Sequence, residues 1–235
     1  MTRIIIGTRT AATNRTNLKY QYLFGKNVAY PSGWTKRIRP VESSVISLST
    51  TVPPNSIDTK SLTIAVAADN NGGQSFWDEN SNAPADITVQ ADVMFDSLTG
   101  GDGNTGKLGI KARMSFNGAY YAYLKPNANV LRIAKVDHNI SETILLASSA
   151  IVPTLAINTW YTIKLSLLGT TIMGKVWITG TPEPSTWDAT ATDSTYTSGN
   201  KIGIFAQSGT TAWNGWVTNL KSVNVISRTP ATYRV

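Results

Sequence analysis

Five aromatic residues are the part of this sequence best suited to holding a ligand. Trp187 follows the turn-rich run GTPEPST, and Trp213 and Trp216 bracket a predicted turn at Asn214-Gly215. Trp177 falls on the polar face of one predicted hairpin, with Trp160 beside it, and Tyr120 points away from Tyr121 and Tyr123 in another. A sugar ring presents an apolar C–H face that stacks on a flat side chain. Trp177, Trp187, Trp213, Trp216 and Tyr120 are therefore the candidate carbohydrate-binding residues. The competing reading is structural. Tryptophan is highly buried on average, and Trp160, Trp177 and Trp187 would then pack against one another or against another subunit.

Other chemistry is thinner. With no cysteine there is no disulfide framework, thiolate zinc site or cysteine nucleophile. The lone His138 sits in the polar turn KVDHNISET and reads as a solvated loop histidine. Phosphate-loop, dinucleotide, nucleophile-elbow and HExxH patterns are absent. Asp69-Asn70-Asn71 and Asp102-Gly103-Asn104 are oxygen-rich loops that calcium could use. Neither has EF-hand spacing, so the expectation is no cofactor and no metal.

The elements that must position these residues are strands. Only 15% of the 235 residues are charged, whereas soluble domains average about 25%. Threonine, which favours strands, occurs 31 times. From residue 45 onward, strand-length segments such as LTIAVAA, DITVQADVMF, WYTIKLSLL and IMGKVWI alternate with clusters of Gly, Pro, Asn and Ser. Ten such segments and no helical period predict an all-β, two-sheet antiparallel sandwich. One hairpin turns at Gly169-Thr170, pairing Leu167 with Ile172, Leu165 with Gly174, Ile163 with Val176 and Tyr161 with Ile178. The other turns at Asn117-Gly118, pairing Phe116 with Ala119, Met114 with Tyr121 and Ala112 with Tyr123.

Charge divides the chain. Residues 1–40 hold eight bases and no acid, while the other 195 hold 13 bases and 14 acids, so +8 precedes −1. This sets off an extended basic N-terminal docking arm (1–44) from a jelly-roll domain (45–228) and a short tail (229–235). The arm residues are Arg3, Arg9, Arg15, Tyr20, Tyr22, Phe24, Trp34, Arg37 and Arg39. Nucleic-acid arms carry denser Lys and Arg with fewer large apolar residues, so the arm is read as docking onto other proteins. The opening MTRIIIGTR is too short in apolar residues for a secretory signal, and no run could span a membrane. A soluble product made in a cytoplasm is expected.

The order within residues 160–225 carries a resemblance. Trp160-Tyr161 opens a strand, a short turn leads to a second strand ending in Val176-Trp177, and Pro184-Ser185-Thr186-Trp187 follows. Gly203-Ile204-Phe205 and a final strand complete it. This resembles the C-terminal half of concanavalin A-like lectin/glucanase jelly rolls, especially laminin-G-like modules of bacteriophage tail and virion proteins. The resemblance implies two antiparallel sheets, one concave, in a fold that binds carbohydrate, hydrolyses β-glucans or serves as virion structure. The glucanase Glu-x-Asp-x-(x)-Glu strand is missing, and Asp92 and Asp96 lie roughly 13 Å apart on a strand. Retaining hydrolysis needs about 5–5.5 Å. The expectation is a non-enzymatic virion component of a tail fibre, baseplate or spike. It would dock onto other virion proteins through its arm, form homo-oligomers such as trimers, and attach to cell-surface glycan. The alternatives are a free carbohydrate-binding module or remnant glucanase, and a capsid decoration protein.

Overall fold

The computed structural model describes residues 18–22, 34–38, 46–51, 61–66, 73–78, 82–98, 106–137, 142–148, 154–207 and 211–224. The strands are β1 (Leu18–Tyr22), β2 (Trp34–Ile38), β3 (Ile46–Thr51), β4 (Ser61–Val66), β5 (Gly73–Asp78), β6 (Ile87–Phe95), β7 (Lys107–Met114) and β8 (Gly118–Lys125). A single 3-10 turn (Pro126–Ala128) leads to β9 (Val130–Asp137), β10 (Glu142–Ala147), β11 (Tyr161–Leu168), β12 (Thr171–Ile178), β13 (Ala189–Thr192), β14 (Lys201–Gln207) and β15 (Trp213–Asn224). An eight-stranded sheet runs β13-β12-β11-β6-β15-β4-β3, with β1 also paired to β15. A seven-stranded sheet runs β10-β9-β8-β7-β14-β5-β2. The fold is the expected antiparallel jelly-roll sandwich.

Period-two alternation sends one side of each strand inward. Val89, Ala91 and Val93 of β6 and Ile163, Leu165 and Leu167 of β11 meet Ile110, Leu131, Ile133 and Ile204 of the other sheet in one core. The layers come close at Gly174, where a Cβ would lie 3.2 Å from Leu131 Cδ2 and 3.3 Å from Ile133 Cγ1. The Gly169-Thr170 hairpin pairs as its sequence predicts, Leu167 with Ile172 through Tyr161 with Ile178. Gly169 supplies the positive φ, +54°, that this turn requires.

The β7–β8 hairpin departs from its predicted register. Ala112 pairs with Tyr120, not Tyr123, and Gly109 pairs with Tyr123. The tip is closed by Ser115 N–H donating to the Gly118 carbonyl at 2.9 Å, which places Phe116-Asn117 at the turn. Before it, Arg113 adopts φ +49°, and the neighbouring β14–β7 ladder shifts register at this point. A three-residue slip is odd, so it exchanges the two faces. Tyr120 goes inward, and Tyr121 and Tyr123 go outward.

Two further sequence readings change. Asn214-Gly215 is not a turn but lies inside β15, paired with both β4 and β6. The segment 1–44 also contributes strands. β1, with Tyr20 and Tyr22, pairs with β15, and β2, with Trp34 and Arg37, pairs with β5. Strand pairing thus begins well before residue 45. Arg3, Arg9, Arg15, Phe24, Arg39 and the tail 229–235 lie outside the described residues, as do His138 and both loops considered for calcium.

Arg113 fastens one end of the sandwich. Its buried guanidinium donates to the Ala85 carbonyl at 2.6 Å, the Tyr196 carbonyl at 3.3 Å and Asp86 Oδ1 at 3.0 Å. The same Asp86 oxygen accepts from Gly169 N–H at 2.9 Å. One side chain of the seven-stranded sheet therefore secures the start of β6, the β11–β12 turn and the connection into β14. A lysine lacks the fork needed to reach these acceptors together. Arg113→Lys is expected to lower unfolding free energy by about 2 kcal/mol in urea titrations; an unchanged midpoint would contradict this role.

Candidate ligand-binding face

The aromatics singled out from the sequence are separated by the sandwich. Tyr120 is 0% exposed and Trp213 is 4% exposed, both in the central core. Trp213 packs against Phe95 with ring centroids 5.7 Å apart, and the glycine at 215 leaves room for its ring, since a Cβ there would come within 2.6 Å. Neither ring has an open face for stacking a sugar, which corrects both assignments. Trp216 lies three residues from Trp213 and so faces outward on the eight-stranded sheet, but it is buried too.

Trp177 also faces outward on that sheet, opposite Thr162, and is capped by cations. The ammonium groups of Lys164 and Lys175 lie 5.5 Å and 5.8 Å from its ring, and Lys175 lies 4.7 Å from the half-buried Trp187. Both lysines bridge to Glu183, at 2.6 Å and 2.5 Å, and Lys175 also donates to the Pro184 carbonyl at 2.7 Å. These contacts hold the β12–β13 connection onto the sheet. Of the five candidates, only Trp177 and Trp187 come together, and what joins them is this pin.

The acids considered for hydrolysis are likewise engaged. Asp92 accepts from Thr162 Oγ1 at 2.6 Å and Asn219 Nδ2 at 2.7 Å. Asp96 accepts from the backbone and side-chain nitrogens of Asn214, each at 2.7 Å.

The seven-stranded sheet gathers a different set on its outward face. Tyr121 and Tyr123, 1% and 0% exposed, stack at 5.3 Å, and Phe205 of β14 meets Tyr121 at 5.0 Å, so these rings form a second buried cluster on the outer side of the sheet rather than an open stacking surface. The Lys107 amine lies 5.2 Å over the Tyr123 ring, and the Lys111 amine lies 5.2 Å over Tyr121 and 4.9 Å over Phe205. These cation–π contacts help hold lysines at an apolar surface. Lys107 also donates to Glu142 Oε2 at 2.8 Å, and the Tyr123 hydroxyl donates to Glu142 Oε1. Arg132 stands opposite Tyr123 across the β8–β9 ladder. The same register row continues through Ser75 of β5 to Arg37 of β2.

Electrostatics fixes the charge states. Burial raises the Glu142 carboxyl pKa, but the Lys107 charge and hydrogen bonds from Lys107, Tyr123 and Tyr121 outweigh it and hold the group below the usual carboxylate value. Burial, reinforced by Glu142, pushes the Tyr123 hydroxyl well above the ordinary phenol value. At neutral pH the site therefore presents a carboxylate acceptor, a neutral hydroxyl and cationic donors. Sequence reasoning missed Lys107, Lys111, Tyr121, Tyr123, Arg132, Glu142 and Phe205 as a group. The signal was present in the alternation Lys107, Gly109, Lys111 and Tyr121, Tyr123, Lys125, but the hairpin register hid it.

Comparisons with known proteins agree at the level of fold. No family model and no curated protein sequence matches the chain. Among solved structures it is similar to carbohydrate-binding module CBM66 from Bacillus subtilis, with 13% identity, TM-score 0.55, and 82% of this chain and 96% of that one covered. It is similar to a Bacillus subtilis protein of unknown function with a galectin-like fold, with 12% identity, TM-score 0.58, and 90% and 97% covered. It is also similar to the GH16 protein of the Bacteroides ovatus mixed linkage glucan PUL, in complex with a G4G4G3G product, with 10% identity, TM-score 0.59, and 88% and 99% covered.

Tyr120 gives this region a pH dependence. Its hydroxyl donates to Asp193 Oδ1 at 2.5 Å and accepts from Tyr196 N–H at 3.0 Å, while Lys135 donates to Asp193 Oδ2 at 2.6 Å. Burial opposes the Asp193 charge, but hydrogen bonds from Lys135, Tyr120 and Thr195 prevail and hold its pKa well below the usual carboxylate range. Burial and Asp193 push the Tyr120 pKa up to about 12. A depressed carboxylate stabilises the fold above its unfolded pKa of about 3.9, and that contribution is lost as pH falls through the lower folded value. Thermal melts should show Asp193→Asn costing about 2 kcal/mol near neutrality and progressively less below pH ~4. A pH-independent difference would contradict the assignment. The molecule that emerges is a two-sheet antiparallel jelly-roll sandwich whose seven-stranded sheet gathers lysines, tyrosines and Glu142 on its outward side.

Proposed function

We propose that this chain is a carbohydrate-binding domain without catalytic activity, and that it binds through the outward face of the seven-stranded sheet. The observation that carries the reading is the convergence of Lys107, Tyr123, Arg132 and Glu142 from four adjacent strands. Saccharide hydroxyls both donate and accept, and this set offers a carboxylate acceptor beside ammonium and guanidinium donors. The Glu142 side chain is 20% exposed and that of Lys107 11%, so the polar tips are what a ligand meets. The fold shared with a carbohydrate-binding module supports the same reading.

Glycoside hydrolysis needs two carboxylates, about 5–5.5 Å apart for retention or 6.5–9.5 Å for inversion. Among the described residues, Glu142 is the one carboxylate on this face, while Asp92 and Asp96 are held by structural hydrogen bonds elsewhere. Retention on an immobilised panel of neutral and acidic polysaccharides tests the proposal. Glu142→Gln should weaken retention at least about tenfold, the scale of one charge-assisted contact, and Trp177→Ala should leave it unchanged. The reverse pattern would move the site to the eight-stranded sheet. Release of reducing ends would overturn the non-catalytic assignment.

The finer setting is part of the same proposal. The domain serves as an oligomeric virion component that attaches to host glycan, and basic residues near its N-terminus dock it onto the particle. The segregation of eight bases and no acid into residues 1–40 supports docking, as does the resemblance described above. Because β1 and β2 belong to the sheets, the informative truncation removes residues 1–16 and keeps both strands. This truncated protein should remain a soluble β domain that no longer incorporates into particles. Normal incorporation would overturn the docking role.

A further inference from the structure

Four strands end the two sheets, and one of them is built unlike the rest. β10 and β2 bound the seven-stranded sheet, and β13 and β3 bound the eight-stranded one. An edge strand presents unpaired N–H and C=O groups that another chain can adopt, so natural edges are commonly guarded by charge, proline or brevity. The sequence of β2 contains Lys36 and Arg37, and that of β3 runs on to Pro53-Pro54. β13 has only four residues, with Thr190 and Thr192 exposed. β10 has none of these guards. It reads Glu-Thr-Ile-Leu-Leu-Ala, and its one charge, Glu142, is held by Lys107 at 2.8 Å. Leu145 packs against the core, whereas Ile144 is 46% and Leu146 39% exposed. β10 pairs with β9 on one side, and a register shift between Ile144 and Leu146 leaves both side chains in solvent. Among the described residues no strand pairs with its other side.

We infer that β10 is the contact through which two copies of this chain associate, strand against antiparallel strand across a two-fold axis. Complementarity sets the occupant. The free backbone groups call for an extended strand, and five uncharged residues in a row call for one that brings no charge to them. A second β10 meets both demands. With the axis at Leu145, Ile144 of each copy stands opposite Leu146 of the other, and Thr143 stands opposite Ala147. Each Glu142 then faces Ser148, roughly 20 Å along the strand from its counterpart, so like charges do not meet. Such a contact is isologous and closes at two subunits, joining the two seven-stranded sheets edge to edge. It specifies the oligomer proposed above and is independent of carbohydrate binding.

The test is sedimentation of the full chain from about 1 to 200 μM, the range suited to an interface of one short strand per copy. It is run without saccharide, so its outcome is separate from that of the retention assay. The expected result is a reversible monomer–dimer equilibrium. The double variant I144K/L146K sets lysines at the exposed edge positions and should weaken the dimer at least about tenfold. Leu168→Lys, at an exposed apolar position on β11, should weaken it less than about twofold. A monomer at every concentration would overturn the inference, and so would a trimer or an open chain of subunits. Undiminished association of I144K/L146K would overturn it by placing the contact elsewhere. Equal weakening by Leu168→Lys would overturn it in favour of general apolar adhesion. Should I144K/L146K fail to fold, hydrogen–deuterium exchange of the unaltered chain decides. Protection of residues 142–147 must rise with protein concentration, and constant protection refutes the pairing. Protection that appears only when an extended Thr-Val repeat peptide is added would assign the edge to a strand of another protein and refute it too.

Discussion

Arg113 couples the two layers and fixes the sidedness of the seven-stranded sheet. Its backbone takes a left-handed φ of +49°, which costs free energy for a residue with a side chain. Its guanidinium offsets that cost with acceptors just before β6 and on the connection into β14. The irregularity there sends Tyr121 and Tyr123 outward toward Lys107, Lys111 and Glu142. With a regular two-residue turn at Asn117-Gly118, those rings would point into the core and Tyr120 would take their place. The outward position of these side chains is a consequence of one bulged residue held by a buried cation.

Much of the sandwich is written plainly in the sequence. Strands buried on one side, such as β6, β11 and β12, alternate clearly, and the Gly169-Thr170 turn has the glycine its geometry demands, so register follows from pattern. Five strands escape that reading: β1, β2, β5, β10 and β13. β2, β10 and β13 lie at sheet edges, and β13 is the four-residue run Ala-Thr-Ala-Thr, so pairing with a neighbour rather than an apolar pattern makes them strands.

The proposed binding face was harder to see for two physical reasons. The first is that Trp177 and Trp213 act as packing material. Trp213 fills space left by a glycine, and Trp177 is capped by two lysines that hold a loop in place. Ring type and flanking polarity do not distinguish such residues from a stacking platform. The second is that Asn117-Gly118 is a strong local turn signal overridden by tertiary bonding at Arg113. A local preference of about a kilocalorie is smaller than the combined hydrogen bonds of a buried guanidinium.

The most direct measurement is hydrogen–deuterium exchange of the full chain with and without a polysaccharide that it retains. If the ligand lies on the seven-stranded sheet, amide protection rises in peptides spanning residues 107–125 and 130–147 and stays constant in those spanning 160–190. Protection confined to residues 160–190, where Trp177 and Trp187 reside, would contradict the account.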